Sequence, residues 1–157
     1  MKADLAKKVC QECKAACCKI CGSDFTESEM KKVLRSGSSN FFTKVNKSHY
    51  ESKTKDTVCP YLTEENLCSV HKSRPLMCKC WPIYPECKNN REGRKYFLIE
   101  CALTPLLSKK DIHVMKRQAS SIAKELLISS SKNSKLPRSE LRPGWKKFSK
   151  FKKNILK

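Results

Sequence analysis

The stretch Cys10-Gln-Glu-Cys13-Lys-Ala-Ala-Cys17-Cys18 sets four thiols within nine residues, a density of sulfur that no ordinary core needs. Thiolates this close repel one another and oxidise readily, so a chain that keeps them neutralises them with a soft metal or locks them in disulfides. On one continuous helix Cys10, Cys13, Cys17 and Cys21 would fall at about 0°, 300°, 340° and 20°, a single stripe of sulfur. Good helix formers surround them, Ala3-Asp-Leu-Ala-Lys-Lys before and Lys14-Ala-Ala between, and Gly22 stands where a left-handed residue would stop the helix. Cys18 lies about 80° off the stripe and is expected to serve another edge of the site. A loop knuckle around Cys10 and Cys13 is the alternative and would bind metal equally well.

Whether the thiols meet metal or each other depends on compartment. No apolar run exceeds four residues, too short for a transmembrane helix or for the apolar region of a secretory signal. The expected location is therefore cytoplasmic, where clustered cysteines serve metal binding or catalysis more often than a disulfide framework. The odd total of eleven cysteines agrees. A chain of 157 residues suits one domain, and with 39% apolar and 31% charged residues its core is thin enough to call for a metal staple. Four thiolates around a zinc ion or a cluster leave a net charge of about −2. Lys7, Lys8, Lys14, Lys19, Arg74 and Lys79 flank cysteines and would offset it. The rest of the +19 net charge implies an anionic partner, protein or nucleic acid, or serves solubility alone.

Along the chain, Thr26 to Glu29 has capping-box spacing and Gly37 a stop signal, which predicts a short helix with Met30, Val33 and Leu34 facing the core. Residues 38 to 57 read as a loop-rich excursion. The second cysteine block begins with two short apolar segments, 58 to 62 and 67 to 70, around the polar turn Thr63 to Asn66, a small hairpin that would bring Cys59 and Cys68 together. Pro75 opens a helical turn leading to Cys78, after which Trp81-Pro82 and Tyr84-Pro85 punctuate the chain. Tyr96 to Ile99 is a strand candidate that delivers Cys101. Ser108 to Asp111 is a second capping box, starting a helix over roughly 109 to 128 whose apolar stripe is core. From Ser129 onward the composition shifts, with ten lysines and arginines against one glutamate. This divides the chain into a cysteine domain, 1–128, and a basic linker and tail, 129–157, in which Trp145, Phe148, Phe151 and Ile155 share one side of a possible amphipathic helix.

The ordered set Cys10-x2-Cys13-x3-Cys17-Cys18, Cys59-Pro-x-Leu, Cys68, Arg74-Pro75-x2-Cys78 and Trp81-Pro82 resembles the YkgJ-like cysteine-cluster family, over about residues 10 to 120. That family is described as chelating zinc or iron and includes relatives of flagellin lysine methylases. The resemblance implies Cys10, Cys13, Cys17, Cys18, Cys59, Cys68, Cys78 and Cys101 as metal ligands, enough for two four-thiolate sites or for one cluster and a second ion. Cys21, Cys80 and Cys87 are additions to the pattern. His71 stands where relatives often carry tyrosine, which favours a structural role for it. Arg74 is the non-cysteine residue to single out, because a guanidinium can donate several hydrogen bonds to ligating sulfurs and offset their charge. Trp81 and Tyr61 would keep water from the site.

The fold expected is therefore α+β, a small irregular metal-stapled domain with helices around a cysteine-rich centre, one short hairpin and a basic tail. All-thiolate ligation fits zinc and iron–sulfur clusters alike. Three cysteines gathered in eight residues with a distant fourth lean toward iron–sulfur. The function expected is metal binding without a catalytic motif of its own, since the chain has neither a glycine-rich phosphate loop nor an HExxH helix. Two alternatives stand beside it: an iron–sulfur redox or accessory component related to protein lysine methylation, and a basic zinc module that binds nucleic acid.

Overall fold

The computed structural model describes residues 3–20, 22–53, 58–99 and 101–133. They form an α+β arrangement of short helices and two small antiparallel sheets, within two compact units, Met1–Lys79 and Cys80–Lys157.

The first unit opens with α1 (Ala3–Glu12) and α2 (Ala16–Ile20). The single helix expected to line up Cys10, Cys13, Cys17 and Cys21 is broken here. Lys14 and Ala15 both take positive φ, 56° and 49°, and the Ala15 N–H turns back to the Cys10 carbonyl at 2.8 Å. Two left-handed residues in a row end α1 and start α2 in a new direction, so the predicted sulfur stripe does not exist. Cys21 lies outside the described residues.

After α2, strand β1 (Asp24–Phe25) leads into α3 (Glu27–Arg35). Helix α3 starts at the predicted capping box: Thr26 Oγ1 accepts the Glu29 N–H, and the Glu29 carboxylate accepts the Thr26 N–H. It stops at Gly37, whose φ of 81° needs a residue without a Cβ penalty. The stretch read as a loop-rich excursion holds β2 (Phe42–Lys44) and β3 (Tyr50–Ser52), which join β1 in a sheet of order β1-β3-β2. One face of that sheet carries its aromatic rings: Phe25 pairs with Tyr50, and Phe42 stands beside them opposite Ser52. Phe25, Val33, Tyr61 and Val70 form the core beneath, with Met30, Phe42, Tyr50, Cys59 and Cys68 packed on it. The expected hairpin around Thr63–Asn66 is present as a minimal pairing. Leu62 bridges Cys68, the Thr63 N–H bonds the Leu67 carbonyl, and Asn66 supplies the left-handed residue of the turn. Pro75 opens α4 (Leu76–Lys79) as predicted, with its carbonyl accepting the N–H groups of Cys78 and Lys79.

In the second unit, β4 (Ile83–Glu86) pairs with β5 (Lys95–Leu98), Ile83 opposite Leu98 and Glu86 opposite Lys95. The prolines read as punctuation thus flank and enter a strand. Pro85 is tolerated because in a two-stranded sheet each strand has an open edge where no N–H is needed. A 3-10 turn, Thr104–Leu106, precedes α5 (Lys109–Ser120), which starts at the predicted Ser108–Asp111 capping box, and α6 (Lys124–Asn133) follows. The one helix expected over 109–128 is therefore two. The Ser120 and Ser121 hydroxyls both turn back to the Arg117 carbonyl, competing with the ladder where the helix ends. Helix α6 runs on through residues 129–133, read from the sequence as linker, and Leu126 and Leu127 are buried. The predicted amphipathic segment around Trp145 lies outside the described residues. Among the described residues no helix is long and apolar enough to cross a membrane.

Candidate metal centre

Four cysteines of the first unit come from four separate segments and act on one another electrically. Cys18 is on α2, Cys59 follows the start of the second cysteine block, Cys68 sits at the hairpin bridge and Cys78 is on α4. The chain is closed around them by backbone bonds, the shortest running from the Cys59 N–H to the Cys18 carbonyl at 2.7 Å. Helix α4 is held in place by α3: the Leu76 N–H donates to Glu29 Oε1 at 2.8 Å, so the carboxylate that caps α3 also positions the turn carrying Cys78.

The electrostatics tie these four into one neighbourhood. Burial pushes the Cys78 thiol far above its ordinary range; the Ser23 hydroxyl, accepting from Cys78 Sγ at 3.1 Å, opposes this, and Cys18, Cys59 and Cys68 each add a repulsive charge. Cys68 is likewise raised, first by burial and also by Cys18, while its bond with the Val70 backbone and the charge of Arg74 lower it. Cys18 goes the other way and is held at about 7, chiefly by its hydrogen bond with Cys17, against its own burial and with help from Arg74. Cys17 Sγ stands 4.0 Å from Cys18 Sγ. One thiol, Cys18, is thus easily ionised, whereas Cys68 and Cys78 hold their protons.

Arg74, singled out from the sequence, is the cation that acts on both Cys18 and Cys68. It also acts on His71, whose imidazole is kept low first by burial and then by the charges of Arg74 and Lys7. Tyr61 is buried in the same core cluster as Cys59 and Cys68, and its hydroxyl donates to the Ser39 carbonyl at 3.1 Å. Ser23 was not picked out in the sequence. Nothing marks one serine among many as a hydrogen-bond partner for sulfur until α4 and the β1 approach are known.

The other predicted ligands are placed differently. Cys10 is near the end of α1, and Cys13, in the turn after it, donates through Sγ to the Cys10 carbonyl at 3.4 Å. Cys101 belongs to the second unit, just beyond β5; its N–H donates to Thr104 Oγ1, which in turn donates to the Ile99 carbonyl. Cys80 and Cys87 are buried there too, and Cys87 Sγ donates to the carbonyls of Asn89 and Glu92. No two of the described cysteines are joined in a disulfide.

Cysteine sulfurs are the donors that soft ions such as zinc and iron take, but among the described residues no three of these four sulfurs lie within 4.8 Å of one another. A family model described as "Putative zinc- or iron-chelating domain", CxxCxxCC, matches residues 9–116. No curated protein and no solved structure matches the chain.

Proposed function

Since the chain belongs to the CxxCxxCC family of zinc- or iron-chelating domains, we propose that it binds its metal on Cys18, Cys59, Cys68 and Cys78, with Arg74 offsetting the charge of the ligated sulfurs. One observation carries the reading: the buried Cys78 thiol feels the charges of Cys18, Cys59 and Cys68 together. Three further thiolates in that neighbourhood would be strongly destabilising without a cation, and a divalent ion converts the repulsion into ligation. The centre ties α2, the hairpin and α4 to one point, so its first role is to staple a unit whose strands are only two or three residues long. Cys10, Cys13, Cys17 and Cys101 remain proposed ligands on the family resemblance alone. Residues 1–128 act as the chelating domain, in the cytoplasm, and 129–157 as a basic tail for an anionic partner.

The ligand spacing that leaned toward iron–sulfur rests on Cys10, Cys13 and Cys17, whereas Cys18, Cys59, Cys68 and Cys78 suit zinc and iron equally. Anaerobic purification with a visible spectrum and assays for zinc, iron and acid-labile sulfide distinguishes them. A brown chain with iron and sulfide supports the redox or methylation-related accessory reading; a colourless chain with zinc supports a structural staple. For the site itself, Cys18→Ser, Cys59→Ser, Cys68→Ser and Cys78→Ser should each lower retained metal by about one centre per chain, while Cys87→Ser should not. Retention by all four variants would sink the assignment.

A further inference from the structure

The face of the β1-β3-β2 sheet opposite the apolar core carries a second group of donor atoms, of a different chemical kind. Side chains two apart on a strand share a face, so His49 and Glu51 point the same way, and Asp24 is the direct cross-strand partner of Glu51. The outcome is a convergence on one nitrogen: His49 Nε2 lies 2.7 Å from Asp24 Oδ1 and 3.6 Å from Glu51 Oε1. One donor atom from each of the three residues lies within 4.8 Å of the others. His49 is fully buried, and its carbonyl accepts the N–H groups of Val45 and Asn46, which fixes the residue at the mouth of β3.

A single ring nitrogen carries at most one proton and satisfies one carboxylate well. Two carboxylates aimed at it form an arrangement that a doubly charged cation would satisfy better, since it can bond all three groups at once. The distances fit that exchange. Ligands at about 2.1 Å from a shared ion sit about 3.0 Å apart in an octahedron and about 3.4 Å apart in a tetrahedron. The separations of 2.7 and 3.6 Å from the His49 nitrogen bracket those values. Two of the donors stand on paired strands, which favours a preformed site.

We propose that Asp24, His49 and Glu51 form a second cation site, distinct in chemistry from the thiolates, that takes a first-row divalent ion of the Mn²⁺ or Fe²⁺ kind. One imidazole and two carboxylates are the donors such ions prefer, whereas the cysteines select softer metals. In the metal-bound form Nε2 would give its lone pair to the ion and the neutral ring would carry its proton on Nδ1. The site adjoins the thiolates through sequence: Ser23, which accepts from Cys78, immediately precedes Asp24.

The test uses the full chain, loaded with zinc at its cysteines, passed over a chelating resin to strip loosely held metal, and titrated with Mn²⁺ under electron paramagnetic resonance. About one Mn²⁺ per chain should bind, and pulsed spectra should show coupling to a histidine nitrogen. Glu51→Gln and Asp24→Asn should each weaken Mn²⁺ binding at least tenfold while leaving zinc content unchanged. Glu51 is half-exposed, so its variant keeps the test valid even if replacing the buried His49 prevents folding. A folded chain that binds no Mn²⁺ at millimolar concentration would overturn the proposal. So would binding without nitrogen coupling, or binding that neither substitution weakens.

Discussion

At the scale of single residues, the chain controls its sulfurs by deciding which can ionise. Cys18 is held at about 7, whereas Cys68 and Cys78 are raised above the ordinary 9.0. Raised thiols favour a neutral folded state, so the stability they bring is full below the unfolded value and is lost as pH climbs through their folded values. The depressed Cys18 contributes stability that is present above 9.0 and lost as pH falls through about 7. If Cys68 and Cys78 ligate metal as proposed, its uptake reverses the first effect by displacing their protons. Zinc loading of the metal-free chain at pH 7 should therefore release at least the two protons of Cys68 and Cys78, with a further fraction from Cys18, and affinity should fall as pH is lowered. Calorimetry in two buffers of different ionisation enthalpy measures this. Release of less than one proton would mean that these thiols are not the ligands.

At the scale of elements, Glu29 links local helix formation to the site. Its Oε2 accepts from the Thr26 N–H and hydroxyl, and its Oε1 accepts from Leu76 at the start of α4. Thr26→Ala should cost about 1 kcal/mol, the ordinary value of a lost cap. Glu29→Ala should cost about 2 kcal/mol or more, because charge-assisted bonds to two elements disappear together. Only Glu29→Ala should also weaken metal retention, because only it loosens the turn bearing Cys78. Denaturant unfolding with metal analysis of both variants checks the contrast. Capping boxes are legible in sequence because donor and acceptor are three residues apart, and both appeared where Thr26 and Ser108 stand. The break at Lys14-Ala15 was not legible. Both are good helix formers, and a tertiary closure, seen in the Cys59 to Cys18 backbone bond, accompanies their left-handed backbone. The β1-β3-β2 sheet escaped because strands of two and three residues carry no usable period, and β1 finds its partner β3 only beyond α3 and β2. Within it His49-x-Glu51 was the available signal, an alternating pair of ligand-type residues that matters only once Asp24 is known to lie opposite.

At the scale of the whole molecule, the cysteine pattern made the family legible, while grouping the thiols required the fold. Cys18, the thiol farthest from the expected helical stripe, is one whose charge reaches both Cys68 and Cys78. The net charge of +19 motivates the anionic partner. Since α6 ends at Asn133, truncation after that residue keeps α6 while removing most of the basic tail. Binding of a generic polyanion such as RNA should weaken steeply with salt in the full chain and be largely lost on this truncation. Unchanged binding would move the partner surface into the cysteine-bearing units. Ligation of a metal by four cysteine thiolates is read out by X-ray absorption at the metal edge on the full chain carrying one equivalent of zinc or iron. About four sulfurs at about 2.3 Å are expected, falling to about three in Cys78→Ser. A shell dominated by nitrogen and oxygen, or a sulfur count that Cys78→Ser leaves unchanged, would contradict it.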